Sequence, residues 1–374
     1  MIYLDNSATS FPKPRRVINA VKRSFALYSG NAGRSGHDMS IRTAERIFKT
    51  RETIAEHIGF HLPERIIFTQ NATHALNFAI KGLITEPCHI IISNLEHNSV
   101  LRPIISLGDK IGVEYSTFNA CGDVRTEIVD LIRPDTKFIV CTVVSNVTGK
   151  EIDFEVISEI AKEYDLGLIL DVSQYIGHKR IDLSNLHFSA LCAPGHKGLF
   201  GVMGSGFVVF SDKTFPVPIL EGGSGYDSLN THMPNELPER LEAGTLSTVA
   251  ISTVCEGIKY INSYGIECID HKLKLLCKYS KELLSELDNC TVYGADNGIV
   301  SFNINGKSSN EVADLLNKHG IYVRGGLHCA PLSHQFYGTI SSGMVRASFS
   351  LFNKTSDIDR MCKVLCDEYK NSRR

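Results

Sequence analysis

Short apolar runs alternate with helix-like segments through the first two thirds of this chain, and that alternation limits its fold more than any other feature. The strand-like runs are 65–69, 89–93, 113–118, 138–144, 168–171, 188–192 and 206–210. Most are β-branched or aromatic, and several are apolar without a break, as in strands covered on both faces. Between them lie helical patterns at 41–58, 72–83, 98–107 and 154–164. Strand and helix in alternation predict a parallel α/β sheet with crossover helices. Run 206–210 is the exception. Only a glycine-rich loop separates it from 188–192, which leaves little room for a helix and points to an antiparallel pairing.

After about Thr248 the pattern changes. Helical stretches at 251–264 and 271–287 lead to a strand at 298–304, a helix at 309–319 and a strand at 321–324. A long loop, a strand at 343–348 and a closing helix follow. The closing helix puts Ile358, Met361, Cys362 and Leu365 on one face, with Asp357 or Ser356 as its cap. The expected organisation is a large α/β domain at 15–250 and a smaller α+β domain built from 1–14 and 251–374.

With 39 Lys and Arg against 41 Asp and Glu, the formal charge is −2, and no basic run marks a nucleic-acid footprint. The start lacks the basic and apolar regions of a secretory signal, and no apolar stretch approaches the ~20 residues of a membrane span. Eleven cysteines, odd in number and scattered, fit free thiols in a reducing compartment. The expectation is a soluble, cytoplasmic protein that engages neither nucleic acid nor membrane.

In α/β sheets ligands gather at the carboxyl ends of strands, and the polar clusters here follow such ends. Lys197 lies among small residues just beyond one strand, 26 positions after Asp171, which ends an earlier one. A lysine able to form a Schiff base and an acid able to hold a ring nitrogen protonated together suggest pyridoxal phosphate. Singly, they read as a loop lysine and a helix cap. Ala72 and Thr73 open a helix after 65–69, an anion site suited to phosphate, or an ordinary polar cap. His97 is placed to lie against an aromatic ring, or is a satisfied surface histidine. Asn146 is placed to donate to a ring oxygen, or forms a turn. Gln174 and His196 complete a set whose members are mutually compatible. Cys329 sits in a glycine-rich, histidine-flanked loop, where an imidazole such as His328 or His334 would favour the reactive thiolate. The spacing fits no usual zinc pattern, so no metal site is expected. The segment 201–206 superficially matches a dinucleotide fingerprint but precedes a strand where that motif follows one.

These segments, together with 4–9, 31–37, 242–245 and 345–348, resemble in order and spacing the cysteine desulfurase and selenocysteine lyase family. That family belongs to the class V aminotransferase group of fold-type I pyridoxal phosphate enzymes. The resemblance runs from residue 4 to about 353. It implies a large domain with a mostly parallel seven-stranded sheet and a smaller C-terminal α+β domain. Lys197 would carry the cofactor and later move protons, Asp171 would hold the pyridinium nitrogen, and Gln174 would bond the ring hydroxyl. His97 would stack on the ring and share in catalysis. Ala72, Thr73 and His196 would bind the phosphate, and Thr245 would reach the neighbouring subunit's phosphate in a homodimer. Asn6, Asn146 and Arg346 would surround the substrate, with Arg346 clamping its carboxylate. Cys329 would take sulfur from L-cysteine as a persulfide, releasing L-alanine, and pass it to an acceptor protein, as in iron–sulfur cluster assembly. A selenocysteine lyase acting on L-selenocysteine, or an aminotransferase for small amino acids, would use the same scaffold. A non-catalytic sulfur-relay protein is the more remote reading. One position departs from the family: Pro194 stands where a phosphate-binding serine or threonine is usual, and it has neither hydroxyl nor N–H to give. Ser173, Ser205 or a backbone group would have to compensate.

Overall fold

The computed structural model describes residues 1–33, 36–226 and 228–372, so Arg34 and Ser35 of the 31–37 segment lie outside the described residues. The chain opens with β1 (Ile2–Tyr3), α1 (Arg15–Leu27) and α2 (Asp38–His57). The alternating region follows: β2 (Ile66–Thr69), α3 (Ala72–Leu83), β3 (His89–Ser93), α4 (Asn98–Ile111), β4 (Glu114–Phe118), α5 (Val124–Val129) and β5 (Thr136–Thr142). It continues with α6 (Phe154–Glu163), β6 (Gly167–Asp171), β7 (Ala190–Pro194) and β8 (Gly206–Phe210). The last third holds α7 (Thr248–Tyr264), α8 (Ile266–Ser285), β9 (Cys290–Asp296), β10 (Ile299–Ile304), α9 (Ser309–Lys318), β11 (Ile321–Tyr322), α10 (Pro331–Phe336), β12 (Val345–Ser348) and α11 (Thr355–Ser372).

β2 to β8 form one seven-stranded sheet in the order β2-β8-β7-β6-β5-β3-β4. All its pairings are parallel except those of β8, which runs antiparallel to both β2 and β7. The short glycine-rich connection before β8 thus forces the expected reversal. Every residue of β2, β3, β7 and β8 is buried, because helices and loops cover both faces. Register aligns the functional ends: Thr142 of β5 sits opposite Asp171 of β6, which sits opposite Cys192 of β7.

Several elements differ from expectation for local reasons. β7 begins two residues later than 188–192, because its ladder is set by Ala190 pairing with Ile169 and Phe210. Phe188 instead packs edge-on against Phe60. α4 runs past 107 to Ile111 and stops where Gly112 takes φ +75°, a left-handed C-terminal position. α8 starts at Ile266, directly after Gly265, so its buried face includes Ile266 and Ile269 as well as Leu273 and Leu276. The expected long loop before β12 contains α10. α11 begins at Thr355, so neither Ser356 nor Asp357 is its cap. Asp357 reaches back from the first turn to accept the Lys354 N–H at 3.1 Å. The apolar face of Ile358, Met361, Cys362 and Leu365 is buried as expected.

The N-terminus crosses to the far part of the chain: β1 pairs in parallel with β11. A three-stranded antiparallel sheet, β12-β10-β9, completes the C-terminal region. A buried ion pair braces the edge of the large sheet. Arg51 of α2 forks onto Glu242 at 2.6 and 3.0 Å, and Glu242 also accepts the Phe68 N–H at 2.7 Å. All eleven cysteines are free. Among the described residues no helix is long and apolar enough to cross a membrane.

Candidate active site

The carboxyl ends of β2, β3, β5, β6 and β7 surround one cavity of about 100 Å³. Lys197, Asp171, Gln174, His97, Asn146, Thr73, Ala72 and His196 all line it. Eight residues picked from five sequence segments therefore meet at one place.

Lys197 lies on the turn between β7 and β8. A Cβ at Gly195 would come within 2.3 Å of Ser205 Oγ, and one at Gly198 within 2.1 Å of the Ile176 carbonyl, so the turn needs glycine at both. The lysine amine has no hydrogen-bond or ion-pair partner among the described residues. Burial pushes its pKa down to about 8; the Asp171 carboxylate opposes the fall, and Arg346 and Arg324 add to it. Asp171 is 4% exposed and accepts the Ser173 N–H at 2.9 Å. Gln174 donates from Nε2 to the Ser7 carbonyl at 3.1 Å.

His97 caps α4: its Nδ1 accepts the Ser99 N–H at 3.0 Å, and Ser99 Oγ lies 2.9 Å from the same atom. A backbone N–H can only donate, so Nδ1 carries no proton and the neutral ring holds it on Nε2. Burial lowers the His97 pKa and keeps that neutral form. Ser99 Oγ is also 2.7 Å from Thr73 Oγ1. His196 has a buried Nδ1 without a partner, and burial lowers its pKa to about 4.

Residues of the C-terminal region close the site from the other side. Arg346, 1% exposed, donates from Nη1 to the Asn146 carbonyl and from Nη2 to Asp5, both at 2.8 Å; its buried Nε has no partner. Asn146 in turn donates to the His328 carbonyl at 2.8 Å. Asn6 uses its amide within the fold, donating to the Ser348 carbonyl at 3.0 Å and accepting the Phe11 N–H at 3.1 Å. Thr245 does not join this cavity. It lines a separate one of about 420 Å³, where Asn31 donates to its hydroxyl at 3.3 Å.

Cys329 is exposed, and its carbonyl accepts the Asn98 N–H at 2.7 Å. His328 and Cys329 both take positive φ, +50° and +57°, a conformation uncommon outside glycine and found at functional turns. The expected imidazole support for a thiolate is not there. His328 is held by the Arg324 carbonyl and His334 by Thr339, and the two rings stack at 5.7 Å. Burial pushes the His328 pKa down to about 2 and lowers that of His334, so both are neutral wedges beneath the loop rather than cations beside sulfur.

Three further residues belong to the neighbourhood. Ser99 lines the cavity; its signal was its place two residues after His97. The Arg324 guanidinium has no partner among the described residues, and its charge lowers the pKa of Lys197. Glu96 is fully buried, accepts the Thr142 N–H at 2.8 Å and has its pKa raised to about 8 by burial, which makes it a neutral acid behind the strand ends. Nothing in the sequence around Glu96 separates a buried acid from a surface one.

This sheet, with a C-terminal α+β region closing over its strand ends, is the fold-type I architecture of the pyridoxal phosphate-dependent transferases. Residues 2–361 match the model of the family described as Aminotransferase class-V. A protein of Pyrococcus abyssi named a probable cysteine desulfurase is 31% identical, with 100% of this chain and 95% of the relative aligned. A cysteine desulfurase of Wigglesworthia glossinidia brevipalpis is 29% identical over 100% of this chain and 94% of its own. The apo structure of a cysteine desulfurase from Thermococcus onnurineus superposes with a TM-score of 0.91 at 30% identity, covering 99% of this chain and 95% of the other. The chain belongs to the class V aminotransferase family, in its cysteine desulfurase and selenocysteine lyase branch.

Proposed function

We propose that this protein is a cysteine desulfurase that binds pyridoxal phosphate, converts L-cysteine to L-alanine and carries the sulfur on Cys329 as a persulfide. The observation that carries the reading is the pairing of a free, half-buried Lys197 amine with the buried Asp171 carboxylate in one cavity, beside the tethered loop of an exposed thiol. The cavity also suits the cofactor by its unused groups. His196 Nδ1 is orphaned, Lys197 has no partner, and the N-terminus of α3 offers the Ala72 and Thr73 amides to an anion.

When bound, pyridoxal phosphate supplies an electron sink for charge developing at the substrate Cα. Lys197 would hold its aldehyde and then move the Cα proton. Asp171 would keep a proton on the ring nitrogen, Gln174 would face the ring hydroxyl, and the Nε2–H tautomer of His97 would present a donor to the substrate side. Arg346, through its unused Nε, and Asn146 would hold the substrate carboxylate. The Cys329 thiolate would attack the substrate sulfur; a new S–S bond would form as the Cβ–S bond breaks, the bonding pair would stay with Cβ, which takes up a proton, and L-alanine would leave. An acceptor protein would then collect the sulfur from the exposed Cys329, within a cytoplasm that keeps the remaining thiols reduced.

We further propose that 15–250 form the cofactor domain, that 1–14 with 251–374 form the second domain, and that two chains pair. Thr245, which lies outside its own chain's cavity, would then serve the partner subunit's phosphate site. The test is product analysis: L-cysteine with a reductant should yield alanine and sulfide, and Cys329→Ser should stop it. Desulfuration unaffected by Cys329→Ser, or turnover only with an added keto acid, would reject the reading in favour of a lyase for selenocysteine or an aminotransferase.

A further inference from the structure

Pro194 lines the cavity beside Ala72 and Thr73 but brings neither a hydroxyl nor an N–H to it. Four hydroxyl residues line the same space: Thr73, Ser99, Thr142 and Ser173. Thr142 donates to the Val144 carbonyl at 3.2 Å. Ser173 is held at the acid end, because its N–H donates to Asp171. Ser205, the other serine near the Lys197 turn, donates to the Val202 carbonyl at 2.6 Å and does not line the cavity. Ser99 remains. It is 8% exposed, is the second residue of α4, and sets its Oγ 2.7 Å from Thr73 Oγ1 at the start of α3.

We propose that Ser99 supplies the phosphate-binding hydroxyl that Pro194 lacks, so that the cofactor phosphate is held between Thr73 and Ser99 where the N-termini of α3 and α4 converge. The inference rests on the pyridoxal phosphate reading above. Hydrogen-bond accounting supports it. Each hydroxyl has one proton to give. Without an anion, Thr73 can donate to Ser99 and Ser99 to His97 Nδ1, within the 2.7 and 2.9 Å contacts. Phosphate oxygens accept only, so beside them both hydroxyls turn their protons outward. His97 loses little by this. The Ser99 backbone N–H still donates to Nδ1 at 3.0 Å and still keeps the ring proton on Nε2. Ser99 thus divides its labour: its amide orients His97 and its hydroxyl holds the phosphate. Two helix N-termini add their dipoles to the same anion.

The test is equilibrium binding to the cofactor-stripped protein, followed by absorbance, with pyridoxal as the phosphate-free control. Ser99→Ala should raise the dissociation constant for pyridoxal phosphate on the order of 10- to 100-fold, the loss of one hydrogen bond to a charged acceptor. Pyridoxal itself should bind Ser99→Ala and wild type alike. Pro194→Ser, added to Ser99→Ala, should recover most of the lost affinity. Ser99→Cys, which keeps the volume with a weaker donor, should weaken binding in the same direction, should Ser99→Ala prove unstable. Unchanged pyridoxal phosphate affinity in Ser99→Ala, or equal losses for both ligands, would overturn the inference. If wild type binds no pyridoxal phosphate, the cofactor reading falls and the inference with it.

Discussion

The backbone N–H of Asn98 donates to the carbonyl of Cys329 at 2.7 Å, fastening the thiol loop to the residue that follows His97. One other bond makes the same crossing: Asn146 donates from its side chain to the His328 carbonyl at 2.8 Å. The thiol is therefore exposed but not loose. Two strand-end loops hold its backbone in the left-handed turn.

Asn146→Ala should release this turn. It leaves the His328 carbonyl without its side-chain donor, at a cost of about 1–3 kcal/mol. Hydrogen exchange should rise across 324–343, and sulfur transfer should fall on the order of tenfold with the global fold intact. Unchanged exchange in that segment would refute the tether.

Lys197 sets a pH dependence for cofactor uptake. Its amine attacks only when unprotonated, and its pKa is lowered from 10.5 to about 8, so the uptake rate should rise as pH passes through about 8. A rate still climbing steeply toward pH 10.5 would mean an ordinary lysine. Lys197→Ala should abolish covalent capture of the cofactor on borohydride reduction.

His328 predicts an acid-side loss of stability. Its folded pKa lies at about 2, below the usual 6.5, so the folded state binds fewer protons than the unfolded chain. Its contribution is present above about pH 6.5 and is lost as pH falls below, at up to about 1.4 kcal/mol per pH unit. Melting temperature should fall from pH 7 to pH 5, and His328→Asn should flatten that slope. Parallel slopes for variant and wild type would contradict the burial argument.

Thr245 predicts complementation between inactive variants. If each site borrows Thr245 from the partner subunit, mixing unfolded and refolded Lys197→Ala with Thr245→Ala chains should restore roughly a quarter of the sites, the random yield for a twofold dimer. No recovery in a mixture shown to contain hybrids would place Thr245 in its own chain's site.

Much of this was legible in the sequence, and the reasons differ by element. The β-rich runs gave the large sheet because strands buried on both faces are apolar without a break, and the antiparallel β8 followed from the length of its connection. Lys197, Gln174, His97, Asn146 and Thr73 stood out in the sequence because each follows a strand, and Asp171 because it ends one; the fold brings all six to one cavity. β9 was missed: most of its residues are only partly covered, so no two-residue period appears. α1 was missed although Val17, Ala20 and Ser24 carry a helical spacing. The roles of His328 and His334 were misjudged because sequence proximity to Cys329 says nothing of burial, and burial removed their charge. Ser99 went unnoticed because its importance lies in a contact with Thr73, 26 residues away.

The central claim is that Cys329 receives the substrate's sulfur. Mass spectrometry of the cofactor-loaded protein, treated with L-cysteine and trapped by alkylation, tests it directly. One added sulfur atom is expected on the peptide containing Cys329, absent when Lys197 is replaced by alanine. Alanine formed while Cys329 stays unmodified, or sulfur found instead on another cysteine such as the exposed Cys121, would contradict it.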